Sequence, residues 1–177
     1  MGNNFETYIQ KLELIGFFAG YAIVYALVHF IKGEQRKKTS SFINCLPKLL
    51  PYAYALTGTL FLGMVLKNIS IDLSLQNIVE QFQNPYLKIW GLLSVLFWIP
   101  ALSKKPVYSL FHSLVFFFLL IKDFWMLITS SIDSEIIKND MKVYTDSLLL
   151  NTANLACIAI LWFVMSKIRE SRKTSSD

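Results

Sequence analysis

The residues best suited to chemistry lie in the apolar run from residue 107 to residue 128. His112 and Asp123 are eleven residues apart in this run, so in an α-helix they lie within about 20° of the same face. Ser109 lies one turn before His112 and extends this polar stripe. Ionisable side chains inside a membrane span are costly and usually face the bundle interior or water. Because histidine titrates near neutral pH, the stripe predicts a path for protons or other ions.

A plainer interpretation of the same residues stays open. Lys122 and Asp123 are adjacent charged residues, as is expected where a helix reaches the outer boundary of the membrane. His112 then makes a hydrogen bond to a neighbouring helix, because a buried imidazole needs a partner. In this interpretation the stripe is structural and carries no flux.

A second polar face occurs in the last apolar run, from residue 148 to residue 165. Ser147, Asn151 and Asn154 follow the i, i+4, i+7 pattern of one helical face. An unpaired amide in hydrocarbon costs several kcal/mol, so both Asn side chains are expected to find partners on the 107–128 run or the 14–31 run. Hydrogen bonds between helices explain this face, and so does a solute-binding cavity.

The chain has two histidines, His29 and His112. Two helical histidines can ligate a haem iron, and both are expected near the inner ends of their helices, at similar depth. The sequence has no G-x-S-x-G, H-E-x-x-H or C-x-x-C motif and no phosphate-binding glycine loop. We therefore expect no enzyme, no catalytic residue, no metal site and no cofactor, with haem binding as an alternative.

Five apolar runs must position these residues. The chain has 177 residues, 54% of them hydrophobic, and a mean hydropathy of +0.47. A bilayer core needs roughly 20 helical residues. The predicted fold is an all-α integral membrane protein, one five-transmembrane-helix bundle over residues 1–177. The predicted spans are about 12–32, 48–67, 86–103, 106–129 and 145–167.

The third span is the shortest of the five. Its continuous apolar part, Ile89–Leu102, has 14 residues and reaches only about 21 Å. Tyr86 to Lys88 bring it near a full crossing, with the Lys88 amine extended outward to the membrane surface.

The basic residues predict the orientation. Lys and Arg concentrate on the cytoplasmic side of membrane proteins, and with the N-terminus outside and the C-terminus inside every loop agrees with this bias. Eleven of the 17 basic residues are then inside, and they are Lys32, Arg36, Lys37, Lys38, Lys48, Lys104, Lys105, Lys167, Arg169, Arg172 and Lys173. Topology alone accounts for the sequence pI near 9.2, and nucleic acid is not an expected partner.

Some of these basic residues are also candidates for lipid binding. Each Lys or Arg near an anionic membrane surface contributes on the order of 1 kcal/mol. The candidates lie in two predicted inner loops, and they are Arg36, Lys37, Lys38, Lys104 and Lys105. The alternative is that their charges only fix the topology.

Small residues four apart occur in the first span. Gly16 and Gly20, with Ala22 and Ala26 after them, predict a helix-packing seam, because small side chains let helix backbones approach closely in lipid. The seam serves packing within the bundle or contact with a second copy.

A short amphipathic surface helix is predicted on the outer side, over residues 70–84. Its apolar residues fall on one helical face, and they are Ile71, Leu75, Ile78, Val79 and Phe82. Such a helix lies on the membrane surface, caps the bundle or holds a partner.

The function expected from these features is that of an accessory or interaction subunit of a larger membrane complex. The supporting features are the small chain, the lack of room for a soluble domain and the glycine seam. The first alternative is a small channel or transporter that uses the polar faces of the fourth and fifth spans, and the second is a haem-binding redox protein. Expected partners are the bilayer and a membrane protein or a second copy. The expected location is a bacterial inner membrane, because no targeting segment is recognised.

Overall fold

The computed structural model describes residues 2–34, 41–71, 73, 85–129 and 134–174. Every element in these ranges is helical, which confirms the predicted all-α class there. The α-helices are α1 (Gly2–Glu34), α2 (Ser41–Ile71), α3 (Pro85–Leu93), α4 (Pro100–Ser103), α5 (Pro106–Thr129) and α6 (Ser134–Thr174), with a 3₁₀ helix at Ser94–Trp98 between α3 and α4.

Four of these helices are long and apolar enough to cross a membrane. The candidate spans are Gln10–Gly33 in α1, Ile43–Ile71 in α2, Pro106–Met126 in α5 and Met141–Arg172 in α6. A shorter apolar helical stretch covers Pro85–Trp98. Length and composition therefore indicate a multi-pass membrane protein.

The third predicted span, 86–103, is not one continuous α-helix. The α-helical part ends at Leu93, a 3₁₀ turn follows, and Ile99 is extended, with φ −73° and ψ 122°. Pro100 explains the break, because a proline disfavours the α conformation at the residue before it. Pro100 then begins α4 at the position where its missing N–H costs nothing.

Contacts between side chains show the relative directions of the helices. Gly16 of α1 faces Val143 of α6, and Gly20 faces Ser147. Both residue numbers rise together, so α1 and α6 run in the same direction.

The helices α2 and α5 run opposite to α1. Tyr21 packs its ring against Tyr54 of α2, whereas Phe17 packs against Phe61, so one number falls as the other rises. The pattern along α5 is the same, because Phe18 stacks on Phe116 and Lys11 pairs with Asp123. Along the third segment, Gly91 faces Phe61 and Trp98 packs against Tyr52, so this segment runs opposite to α2.

The core of the bundle is built around α1 and α2. In the most apolar window of each, 56% of the residues are buried, against 17% in α5 and 28% in α6. Both α5 and α6 pack on α1 and α2, and they make little or no contact with each other. The outer helices therefore keep broad apolar faces for lipid or for another protein.

Two sequence predictions fall outside the described ranges. Arg36, Lys37 and Lys38 lie there, and so does the surface helix predicted over 70–84, except for its first residues. Ser70 and Ile71 belong to the end of α2.

Candidate functional site

A buried amide cluster joins α1, α2 and α6. The Asn151 amide donates hydrogen bonds to the backbone carbonyls of Phe17 and Ser147, both at 2.8 Å. The Thr57 hydroxyl lies 3.2 Å from Asn151 Oδ1 and accepts a hydrogen bond from Asn154 Nδ2 at 2.8 Å. Each buried amide in this cluster has a protein partner, as membrane interiors require.

Ser147 extends the cluster toward the N-terminal end of α1. Its hydroxyl donates to the Ile15 carbonyl and accepts from the Gly20 backbone N–H, both at 2.9 Å. The side chain of Ser147 is fully buried, so the α1–α6 contact contains hydrogen bonds as well as apolar packing.

A second polar set lies between α5 and the two core helices. The hydroxyls of Tyr21 and Ser109 are 2.7 Å apart, and the Tyr54 hydroxyl lies 2.8 Å from His112 Nδ1. The Trp90 indole stacks on the imidazole of His112 at 4.6 Å, with 5° between the rings. Its N–H donates to the His112 carbonyl at 3.1 Å.

The imidazole of His112 has one nitrogen without a hydrogen bond. Its Nε2 atom is buried and has no partner among the described residues. The rings of Phe97 and Phe116 pack beside the imidazole, with centroid separations of 5.7 Å and 6.4 Å.

Asp123 forms an ion pair with Lys11 of α1. The Lys11 amine lies 2.5 Å from Asp123 Oδ1, with side chains 25% and 14% exposed. The neighbouring Lys122 is exposed. The pair therefore connects the N-terminal half of α1 with the C-terminal part of α5, and sequence reasoning missed it because Lys11 is 112 residues away along the chain.

Lys88 does not extend outward as predicted. Its side chain is 2% exposed and experiences electrostatic attraction from Glu13 of α1. The opposite charge of Glu13 compensates part of the cost of burying an amine, which explains why Lys88 lies inside the bundle.

The predicted polar residues therefore form two separate groups. Asn151 and Asn154 face α1 and α2 from one side, whereas Ser109 and His112 face the same core helices from α5. Within the described ranges α5 and α6 hardly touch, so the polar faces of the fourth and fifth spans do not meet. Asn151 finds a partner on the first span, as expected, whereas Asn154 bonds to Thr57 of α2 instead.

The predicted glycine seam is divided. Gly20 lies directly against the α6 backbone, since an added Cβ would be 2.6 Å from the Ser147 carbonyl carbon. Gly16 has Val143 at an ordinary 3.5 Å. Ala22 is buried in the core, whereas Ala26 is exposed, so within the predicted seam Gly20 makes the close helix contact.

The two histidines lie at different depths. The contact of Tyr21 with Ser109 places these residues at one level of the bundle. From there His29 lies eight residues toward the C-terminal end of α1, whereas His112 lies three residues in the opposite direction, because α5 runs antiparallel to α1. At 1.5 Å per residue this is a separation of about 16 Å along the bundle. The expected similar depth is wrong, and one haem iron cannot bind both side chains of one chain.

The candidate headgroup ligands Lys104 and Lys105 lie in the turn between α4 and α5. Both side chains are exposed, and the Lys105 amine is 5.8 Å from the centre of the Tyr108 ring. Their role as ligands of lipid headgroups stays a prediction, and their exposure is compatible with it.

Comparisons of the chain with protein-family models, with curated proteins and with solved structures found no match. Within the described ranges, no group of three or more His, Cys, Asp or Glu side chains is arranged to hold a metal ion. Cys45 and Cys157 are both free thiols.

Proposed function

We propose that the chain crosses the membrane five times, with its N-terminus outside and its C-terminus inside. This proposal is supported by the helix directions, because α2 and α5 run the same way and the chain must return between them. The segment from Pro85 to Ser103 supplies this return. Its α-helical and 3₁₀ residues together extend about 30 Å, which is close to the thickness of the hydrocarbon core.

Cysteine labelling at the two ends of the third crossing tests this topology. In a Cys45→Ser, Cys157→Ser background expressed in intact bacterial cells, we expect a membrane-impermeant maleimide to label Tyr86→Cys. We expect Lys104→Cys to react only after the membrane is permeabilised. Both native residues are exposed, so access to the reagent is the difference between them. Equal labelling of both sites would exclude the third crossing, and reversed labelling would invert the orientation.

For the function, we propose a non-enzymatic interaction subunit of a membrane complex, in the bacterial inner membrane. The observation that carries the proposal is the exposure of apolar side chains in the inner half of α6. From residue 160 to residue 172 no side chain is buried, although residues 160–165 are all apolar. Trp162 packs partly against the core, while Leu161, Phe163 and Met165 are each more than half exposed.

This part of α6 is apolar but contacts few other side chains of the chain. It therefore lacks the packing that normally holds membrane helices together. Such association depends on van der Waals contact between side chains and on hydrogen bonds between helices. A second transmembrane protein packed against this part of α6 supplies that contact. The exposed basic residues Arg169 and Arg172 follow in the chain and add positive charge at the edge of the same surface.

The channel alternative has weaker geometric support. The polar groups assigned to a path are engaged in hydrogen bonds inside the bundle, in two groups with α1 between them. An ion path needs polar groups or water along a continuous route, whereas the rings of Trp90, Phe97 and Phe116 pack around the imidazole of His112. The two groups are better explained as contacts that hold the helices together.

Purification at native expression level tests the subunit proposal. We expect extraction in a gentle detergent and native mass spectrometry to find the chain with a membrane protein in fixed ratio. The double variant Leu161→Ala, Phe163→Ala should weaken binding of the partner about thirtyfold, because each of the two lost apolar contacts contributes about 1 kcal/mol. Phe111→Ala, Phe118→Ala on α5 is the matched control, since these side chains are exposed to a similar extent, and it should retain the partner. A chain that emerges alone, or equal losses in both variants, would contradict the proposal.

A further inference from the structure

Three exposed lysines lie at one level of the bundle, near the N-terminal ends of α2 and α5. The Tyr54 hydroxyl of α2 lies 2.8 Å from His112 Nδ1 of α5, and these two helices run in the same direction. From this contact Lys48 lies six residues back along α2, and Lys105 lies seven residues back, in the turn before α5. At 1.5 Å per residue these are distances of about 9 Å and about 11 Å. Lys48 and Lys105, with the adjacent Lys104, therefore lie at the same level.

The third segment brings these lysines to one side of the bundle. Trp98 packs against Tyr52 of α2, with 6.2 Å between the ring centres, and Lys48 lies one turn before Tyr52 on the same helical face. The segment then continues through α4 into Lys104, and α4 contacts both α2 and α5. The three lysines therefore border the place where the chain leaves α2 and joins α5, and we call this place the lysine corner.

The amines of the lysine corner have no acidic partner within the described ranges. The two ion pairs found there use other residues. The chain has no Asp or Glu between residues 41 and 71 or between residues 85 and 122. The elements that build the corner therefore contribute only positive charge to it, and the surface is complementary to an anion.

Exposed aromatic and apolar side chains lie beside the lysines, nearer the middle of the bundle. Trp98 is 42% exposed, Ile99 48% and Tyr108 45%, and the Lys105 amine lies 5.8 Å from the centre of the Tyr108 ring. Tyr and Trp side chains concentrate where the headgroups of a membrane meet its acyl chains. In a phospholipid the phosphate is joined to the acyl chains through glycerol, so the same molecule presents an anion to the amines and hydrocarbon to Trp98 and Ile99.

We propose that the lysine corner binds an anionic phospholipid. The phosphate lies among Lys48, Lys104 and Lys105, which hold it by charge-assisted hydrogen bonds, and an acyl chain lies against Trp98. A zwitterionic phospholipid carries a cationic group beyond its phosphate, which the lysines repel, so the site selects lipids with a net negative charge. It lies on α2, α4 and the turn before α5, away from the exposed part of α6, and does not depend on the proposed subunit function.

Native mass spectrometry of the detergent-solubilised chain tests the lipid preference. The chain is titrated with phosphatidylglycerol or with phosphatidylcholine that has the same acyl chains. We expect phosphatidylglycerol to bind about a hundredfold more tightly, because each lysine near an anionic headgroup contributes on the order of 1 kcal/mol. The triple variant Lys48→Gln, Lys104→Gln, Lys105→Gln should bind the two lipids alike. Equal affinity of the native chain for both lipids would overturn the proposal.

Two triple variants with the same loss of charge are the controls. The first changes exposed lysines at the opposite end of the bundle, and it is Lys67→Gln, Lys122→Gln, Lys142→Gln. The second changes exposed basic residues near the C-terminus of α6, and it is Lys167→Gln, Arg169→Gln, Arg172→Gln. Both should keep the preference for phosphatidylglycerol. If either control loses it as fully as the variant of the lysine corner, overall charge selects the lipid and the proposal fails.

Quenching of tryptophan fluorescence locates the bound lipid. Trp98 borders the lysine corner, whereas Trp125, 66% exposed, lies near the other end of α5. Two proteins that keep only one of these tryptophans, with Phe at the other tryptophan positions, are reconstituted in vesicles of phosphatidylcholine and phosphatidylglycerol. Bromine on the phosphatidylglycerol chains should quench Trp98 more than the same mole fraction of brominated phosphatidylcholine, and Trp125 should not distinguish the two. Equal quenching of Trp98 by both lipids would overturn the site.

Discussion

Asp123→Ala is expected to lower the free energy of unfolding by about 2 kcal/mol, because it leaves the Lys11 amine without its counter-charge inside the bundle. Water reaches part of this pair, since the side chains are 25% and 14% exposed, so the loss is smaller than for a fully buried pair. Unfolding in mixed detergent micelles measures it. Asp123→Asn should show a smaller loss in the same direction, because the amide can still accept a hydrogen bond from the amine.

Two variants test whether pairing is the cause. Lys11→Met, Asp123→Leu removes both charges and should regain stability to within about 1 kcal/mol of the native chain, because paired charges are often replaced by apolar residues at little cost. Lys122→Ala is the control, since this neighbouring lysine is exposed, and it should change stability by less than about 0.5 kcal/mol. If Asp123→Ala is no worse than Lys122→Ala, the ion pair does not stabilise the bundle.

The same variants separate two interpretations of Asp123. An ion path predicts that Asp123→Asn abolishes a flux while the protein remains folded. The structure instead makes Asp123 a contact between α1 and α5, so its replacement should weaken the fold. A stable Asp123→Asn protein with a lost flux would restore the channel interpretation.

The sequence identifies the polar residues of the bundle but not their partners. Ser109, His112, Asp123, Asn151 and Asn154 stand out because an apolar helix makes a polar side chain conspicuous. Their partners are distant in the chain, and they are Lys11, Tyr21, Tyr54 and Thr57. Which side chains meet between two helices depends on the complementary shapes of their surfaces. A hydropathy pattern identifies the helices but does not predict these contacts. Thr57 and Tyr54 are polar residues in the second apolar run. Their presence there was the sequence signal that could have indicated these partners.

The helices themselves are easier to predict than the contacts between them. Long apolar runs must be helical in a bilayer, because every backbone polar group needs an internal partner. The third apolar run is the exception, because a 3₁₀ turn and Pro100 interrupt its α-helix. Of the two partners expected for the fifth span, the fourth and the first, the structure shows the first. Helices that follow each other in the chain need not be neighbours, and α1 lies between α5 and α6.

Gly20→Ala is expected to cause the largest loss of stability, about 3 kcal/mol. The added Cβ would lie 2.6 Å from the carbonyl carbon and oxygen of Ser147 and 2.7 Å from the Leu148 nitrogen. These are backbone atoms, so no side-chain rotation can relieve the overlap and α1 must move away from α6. That movement also breaks the hydrogen bond between the Gly20 N–H and the Ser147 hydroxyl. Unfolding in mixed micelles again gives the measurement.

Two glycine controls make the result specific to this contact. Gly16→Ala, one turn earlier on the same face, places its Cβ at an ordinary 3.5 Å from Val143 and should be tolerated. Gly63→Ala has no heavy atom within 4 Å of its Cβ and should raise stability by up to about 1 kcal/mol, because alanine favours the helix. If all three variants behave alike, the loss at Gly20 reflects a general effect of glycine replacement. If Gly20→Ala alone fails, the close approach of α1 and α6 is what aligns Ser147 and Asn151 with the carbonyls of α1.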